Sequence, residues 1–265
     1  LEPKLRGAKI EGVQAAPVPG LWEVRFRGER GLRVVYTDAT GSYVIDGNII
    51  DLRDPTKPTL MKEQWTEGLP ATGGHDVNEI APGLVITSSN PMMFLDLRKS
   101  VTKPKLLAVS QGMDEFIHSN QWPNKGKDKF ALTSGETWTP GTDARCKATS
   151  AGLAAWDTTG WKKTKSFKMA DIWRPENGTY TDGNPPANAV GCSALWFQQH
   201  PDFRNGGMVA AGFAEHGMRL LEVGATGRIE ELGYYVPYGG SVSAAYWASA
   251  RGSGLSEGPR GRVER

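Results

Sequence analysis

The chain has 265 residues, 38% hydrophobic and 23% charged, which describes a globular protein long enough to bury a sizeable core. Its 31 Lys and Arg against 29 Asp and Glu leave a net charge of +2, which gives no electrostatic reason to expect nucleic acid or an anionic membrane as partner. No apolar run approaches the roughly 20 residues that span a bilayer as a helix, and the sequence opens at Leu1 without Met, so any targeting segment is expected outside it. Short runs rich in Val, Ile, Leu, Trp and Tyr are punctuated by Gly, Pro, Asn and Asp, and no 3.6-residue apolar period persists for three turns. The expected fold class is all-β. Leu21–Phe26, Leu32–Tyr36 and Tyr43–Ile45 read as the strands of a small antiparallel meander, with turn chemistry at Asp38-Ala39-Thr40-Gly41. Its edge strands would invite pairing with a second copy.

The first of these stretches carries a family likeness. The segment Pro17-Val18-Pro19-Gly20-Leu21-Trp22-Glu23-Val24, followed by Tyr36-Thr37-Asp38-Ala39-Thr40-Gly41-Ser42-Tyr43-Val44-Ile45-Asp46-Gly47, resembles the N-terminal dimerisation domain of bacterial periplasmic disulfide isomerases. The likeness covers about residues 1–53 and implies a periplasmic or extracellular homodimer. In that family a linker helix and a thioredoxin domain with CxxC follow, and neither pattern occurs in this sequence, so the isomerase activity does not carry over. An accessory role in thiol–disulfide exchange remains a reading that rests on this likeness alone.

Beyond it lies a repeat. Ile49-Ile50-Asp51-Leu52, Phe94-Leu95-Asp96-Leu97, Ala154-Ala155-Trp156-Asp157 and Leu220-Leu221-Glu222-Val223 align with their acidic residue in register, at spacings of roughly 45 to 65 residues that suit propeller blades. Inserts fall at Gly135–Ser150 and Pro175–Cys192, where loops are expected. Turns containing Pro follow the acidic residue in Asp54-Pro55-Thr56-Lys57-Pro58 and in Lys99-Ser100-Val101-Thr102-Lys103-Pro104. This pattern, over about residues 48–249, resembles the LVIVD repeats of bacterial secreted and cell-surface β-propellers, which implies a propeller scaffold and no particular reaction. Three full blades are expected at His75–Asp114, Glu115–Trp173 and Ser193–Val236, a partial propeller where closure takes roughly 4 to 8. The expected division is therefore 1–53 dimerisation domain, 54–249 propeller and 250–265 disordered tail, the last from its Gly and Arg content.

Four histidines occur, all in the repeat region. In a propeller, the starts of inner strands and the loops joining second to third strands open on the same face. That rule sends His75 and Asp76, before the run Val77–Ile80, and His118, at the start of the next blade, to one face with the loops carrying Glu136, Glu215 and His216. His75, His118, Glu136 and His216 are thus the candidate ligands of a transition metal such as Zn, Cu or Fe, although no HxH or HxxxH spacing supports them. His200 falls at the opposite end of its strand. The density of Trp offers stacking surfaces, with Trp122 and Trp138 joining Asp76 and Glu215 as candidate ligand-binding residues; wedge packing between blades is the competing use of such rings. Cys146 and Cys192 suit one loop-stapling disulfide better than a redox pair, unpaired thiols being the alternative. No nucleophile elbow or nucleotide-binding loop is present, so a binding protein is the leading expectation, and a metal-dependent oxidase or hydrolase the alternative.

Overall fold

The computed structural model describes residues 9–15, 21–28, 31–38, 44–45, 49–51, 53–54, 56–62, 66, 68–71, 74–111, 117–136, 152–181, 183, 193–238, 241–248, 254–258 and 261–263. Trp138, Cys146 and Cys192 lie outside them, and with them the expected disulfide. The chain divides into two compact units, residues 1–73 with 97–104 and residues 74–96 with 105–265.

The first unit holds a six-stranded antiparallel meander in chain order: β1 (Lys9–Ala15), β2 (Leu21–Gly28), β3 (Gly31–Asp38), β4 (Val44–Ile45), β5 (Ile49–Asp51) and β6 (Thr59–Lys62). β2 and β3 pair along their whole length, from Leu21 opposite Asp38 to Gly28 opposite Gly31. The sheet runs past the boundary expected at residue 53. Asp54 explains why: its carbonyl accepts from Lys57 N at 2.9 Å and its carboxylate from Thr56 N at 3.0 Å, a local turn that returns β6 onto β5. The segment read as the first propeller repeat is therefore the last hairpin of the meander.

The second unit is built from four-stranded antiparallel meanders. The first is β7 (Val77–Ala81), β8 (Leu84–Thr87), β9 (Met93–Asp96) and β10 (Lys105–Gln111); the second is β11 (Ile117–Gln121), β12 (Phe130–Gly135), β13 (Leu153–Asp157) and β14 (Ser166–Trp173); the third is β15 (Phe197–Gln199), β16 (Gly207–Gly212), β17 (Met218–Val223) and β18 (Ile229–Tyr235). Asp96, Asp157 and Glu222, the aligned acidic residues, all lie on the third strand of their blade, at or next to its end. A further strand, β19 (Ala244–Trp247), continues into β20 (Gly254–Gly258) and β21 (Gly261–Val263) as a three-stranded sheet. The segment expected as a disordered tail thus adds two strands to β19. Backbone hydrogen bonding to an existing edge needs no apolar periodicity, which is why composition gave no sign of it.

The outer strands of the first two blades pair in parallel, Val109 opposite Ser166 through Gln111 opposite Lys168, which fuses the blades into one eight-stranded sheet ordered β11-β12-β13-β14-β10-β9-β8-β7. Its two end strands, β7 and β11, meet through side chains. Asn78 Nδ2 donates to the Asn120 carbonyl at 2.7 Å and Asn120 Nδ2 to Ser88 Oγ at 2.7 Å, so the sheet is nearly closed. The device repeats at the next blade, where Ser119 Oγ donates to the Leu195 carbonyl at 2.9 Å and Gln121 Nε2 to that of Phe197 at 3.0 Å. It recurs once more where Trp247 Nε1 donates to the Gln198 carbonyl at 3.1 Å.

Strand alternation divides the core into two layers. On β12 and β13, Phe130, Leu132, Leu153 and Ala155 face the third blade with Phe197, Val209 and Leu221, while Ala131, Ala154 and Trp156 face the first with Ile86, Phe94 and Ala108. Both faces are apolar because the middle blade is covered on both sides.

Asn120 is fully buried, and removing its amide takes the donor from Ser88 Oγ and the 3.3 Å side-chain contact from Asn78, which keeps the Asn120 backbone carbonyl. Asn120→Ala is expected to lower stability by roughly 2 to 4 kcal/mol in urea denaturation, more than Asn78→Ala. Equal, sub-kilocalorie losses would show that these bridges do not hold the sheet ends together.

Candidate metal centre

His75 is pinned at the mouth of the first blade by backbone bonds that extend the β7–β8 ladder, His75 N to Ser88 O at 2.8 Å and Ser88 N to Asp76 O at 2.6 Å. His118 owes its direction to a bulge. The β11–β12 register moves from Ile117 opposite Gly135 to Ser119 opposite Ser134, so His118 is the extra residue, and a bulge re-aims the side chain it carries. Glu136 follows the last residue of β12, one position beyond the partner of Ile117.

These three side chains converge. One ligand atom from each of His75, His118 and Glu136 lies within 4.8 Å of the others. The two imidazoles sit 4.0 Å apart between ring centroids, tilted by 32°. His118 Nε2 is 3.9 Å from Glu136 Oε2, and His75 Nδ1 is 2.8 Å from the His118 carbonyl oxygen. A carbonyl only accepts, so Nδ1 of His75 carries the proton and Nε2 carries the lone pair. Trp196 walls the pair on one side, its ring edge-on to His118 at 4.8 Å. His118 is buried, Glu136 half-buried and His75 exposed, so the cluster is open to solvent at His75.

Burial pushes the His118 imidazolium down to about 3, and the neighbouring His75 pushes the same way. The Leu195 backbone offsets part of this, although among the described residues no hydrogen bond of good geometry reaches His118 Nδ1. His75 is lowered too, by desolvation first, against its bond to the His118 carbonyl. Beside them, burial raises the Asp76 carboxyl to about 6, opposed by the Val77 backbone and the Asn78 amide. At neutral pH the two rings are therefore uncharged.

The other expected residues lie apart from this group. His216 is buried with Nδ1 2.6 Å from Tyr180 Oη, which itself donates to the Pro175 carbonyl at 2.9 Å. The insert between β14 and β15 supplies Tyr180 and so occupies the ring that the face rule had assigned to a metal. Glu215 is half-buried in the turn from Phe213 to Gly217. Trp122 is core: 4% exposed, it meets Phe94 and Phe167 edge-on and donates Nε1 to the Asp128 carbonyl at 2.9 Å, the wedge-packing use of a Trp. His200 packs edge-on against Trp247 at 4.7 Å. Two residues were missed. Trp196, one position before β15, follows from the same strand-start rule that found His75 and His118. Arg219 is wholly buried, paired with Glu231 at 3.1 Å and stacked on Tyr180 at 4.5 Å; no local pattern marks a single Arg in a strand for burial.

Comparison with known proteins adds two findings. The family model described as the disulfide bond isomerase protein N-terminal domain matches residues 1–59. Among solved structures, the C-terminal WD40 domain of Sif2 aligns with a TM-score of 0.51 at 11% identity, over 95% of this chain and 65% of that one. The chain has a β-propeller-like, all-β fold. At that identity the likeness speaks for fold alone, and this chain spans just under two thirds of the matched one. No curated protein matches the sequence.

Burial and the charge of Arg219 hold His216 down at about 4, against an ordinary 6.5. Because the unfolded chain takes up that proton and the folded chain refuses it, stability falls as pH drops from 6.5 toward 4. Thermal melts across that window should show a declining Tm, with a shallower slope in His216→Gln; parallel slopes would place the titration elsewhere.

Proposed function

We propose that the chain is an envelope protein, periplasmic or extracellular, that dimerises through its N-terminal domain and binds a ligand at the propeller face bearing His75, His118 and Glu136. The observation that carries the binding half is the convergence of these three residues from two blade mouths beside Trp196. A few polar groups converging at the open end of a β-scaffold beside an aromatic wall are what a ligand site requires. The match of residues 1–59 to the disulfide isomerase N-terminal domain supports the dimer and the envelope location. Among the described residues no helix is long and apolar enough to cross a membrane. The repeat of acidic strand ends supports kinship with LVIVD propellers.

The chain's two cysteines, Cys146 and Cys192, form no CxxC, so it is expected to have no thiol–disulfide activity of its own. A metal-dependent oxidase or hydrolase is the second reading, favoured by the pairing of two neutral imidazoles with one carboxylate. Light scattering of the untagged protein should return the mass of a dimer, and insulin reduction should not exceed the uncatalysed rate. A monomer would remove the dimerisation half of this reading, and turnover of insulin would remove the other claim.

A further inference from the structure

We infer that His75, His118 and Glu136 form the site of one divalent transition-metal ion of the zinc class, bound with at least one coordination position open to an incoming ligand. The inference rests on the reading of this face as the binding face and names what it binds. Two imidazoles and a carboxylate suit zinc and its neighbours; calcium and magnesium prefer all-oxygen shells.

The geometry is close to what such an ion needs. Bonds of about 2.0 to 2.1 Å in a four-coordinate site put donor atoms about 3.3 Å apart. His118 Nε2 and Glu136 Oε2, at 3.9 Å, need approach by little more than half an ångström, and the three donors, all within 4.8 Å of one another, by at most about 1.5 Å, within the reach of side-chain rotations. His75 is already oriented. Its Nδ1–H is held by the His118 carbonyl, which is how a ligating histidine is commonly fixed in tautomer and ring direction, with Nε2 as the donor. The three residues also stand on backbone that is itself fixed, two at the ends of paired strands and one at a bulge.

Three protein ligands are the complement of catalytic and exchangeable zinc sites, whereas closed structural sites use four. The exposed edge of His75 leaves the remaining position facing solvent. With two neutral ligands and one carboxylate, a divalent ion keeps a net positive charge, so the open position favours hydroxide, a carboxylate or another anionic donor.

The test is a metal titration of the untagged full chain after chelation, with Zn²⁺ in competition and Co²⁺ as the optical probe. One ion per chain is expected, with ligand-field absorption from Co²⁺. Glu136→Gln, close in shape to the wild type, should weaken binding by at least about tenfold, and His118→Ala by more, while His216→Gln leaves it unchanged. Circular dichroism melts accompany each variant; if His118→Ala fails to fold, Glu136→Gln alone decides. Absence of stoichiometric metal, or retention of full affinity in Glu136→Gln, would overturn the inference. Light scattering of the same samples separates the two claims, because a dimer without metal defeats only this one and a metal-binding monomer defeats only the dimer.

Discussion

The second unit depends on how its inner strands satisfy their exposed edges. β7, β11, β15 and β19 do not share a backbone ladder with one another, yet β11 and the start of β15 present carbonyls to their neighbours. Polar side chains fill the gap. The carbonyls of His118 and Asn120, two residues apart on β11, accept from His75 and Asn78; those of Leu195 and Phe197 accept from Ser119 and Gln121. The spacing of two is the period of a strand, so alternate carbonyls point to the same side. Buried backbone acceptors must find donors, and here the sequence supplies Asn, Gln, Ser and His where a sheet would supply N–H groups.

This arrangement also makes the site. His75 spends Nδ1 on the interstrand bridge, so the same hydrogen bond joins two blades and sets a tautomer. The bulge at His118 breaks the β11 ladder at the one point where its side chain must leave the strand's alternation. Scaffold and site therefore share atoms.

Much of this was legible from residue order. Turn residues bounded the strands, the blade spans at His75–Asp114, Glu115–Trp173 and Ser193–Val236 enclose the observed meanders, and topology alone put His75, His118 and Glu136 on one face. What escaped was non-local. The hairpin β5–β6 carries the same apolar-acidic-Pro signal as a blade edge, and only the sheet it joins tells the two apart. Parallel pairing of β10 with β14 is a choice between edges that no spacing announces. Trp122 and His216 were misassigned for one reason: a large ring reads alike in a core and in a pocket, and its use is decided by what distant chain brings against it, Phe94 and Phe167 in one case and Tyr180 in the other.

The proposed centre requires that three residues from two blades share one ion. Crystals of the untagged protein grown with zinc, measured on both sides of the zinc absorption edge, test this directly. The predicted map holds one strong anomalous peak per chain, about 2 Å from Nε2 of His75, Nε2 of His118 and a carboxylate oxygen of Glu136. A peak elsewhere, or none at this cluster under saturating zinc, would contradict it.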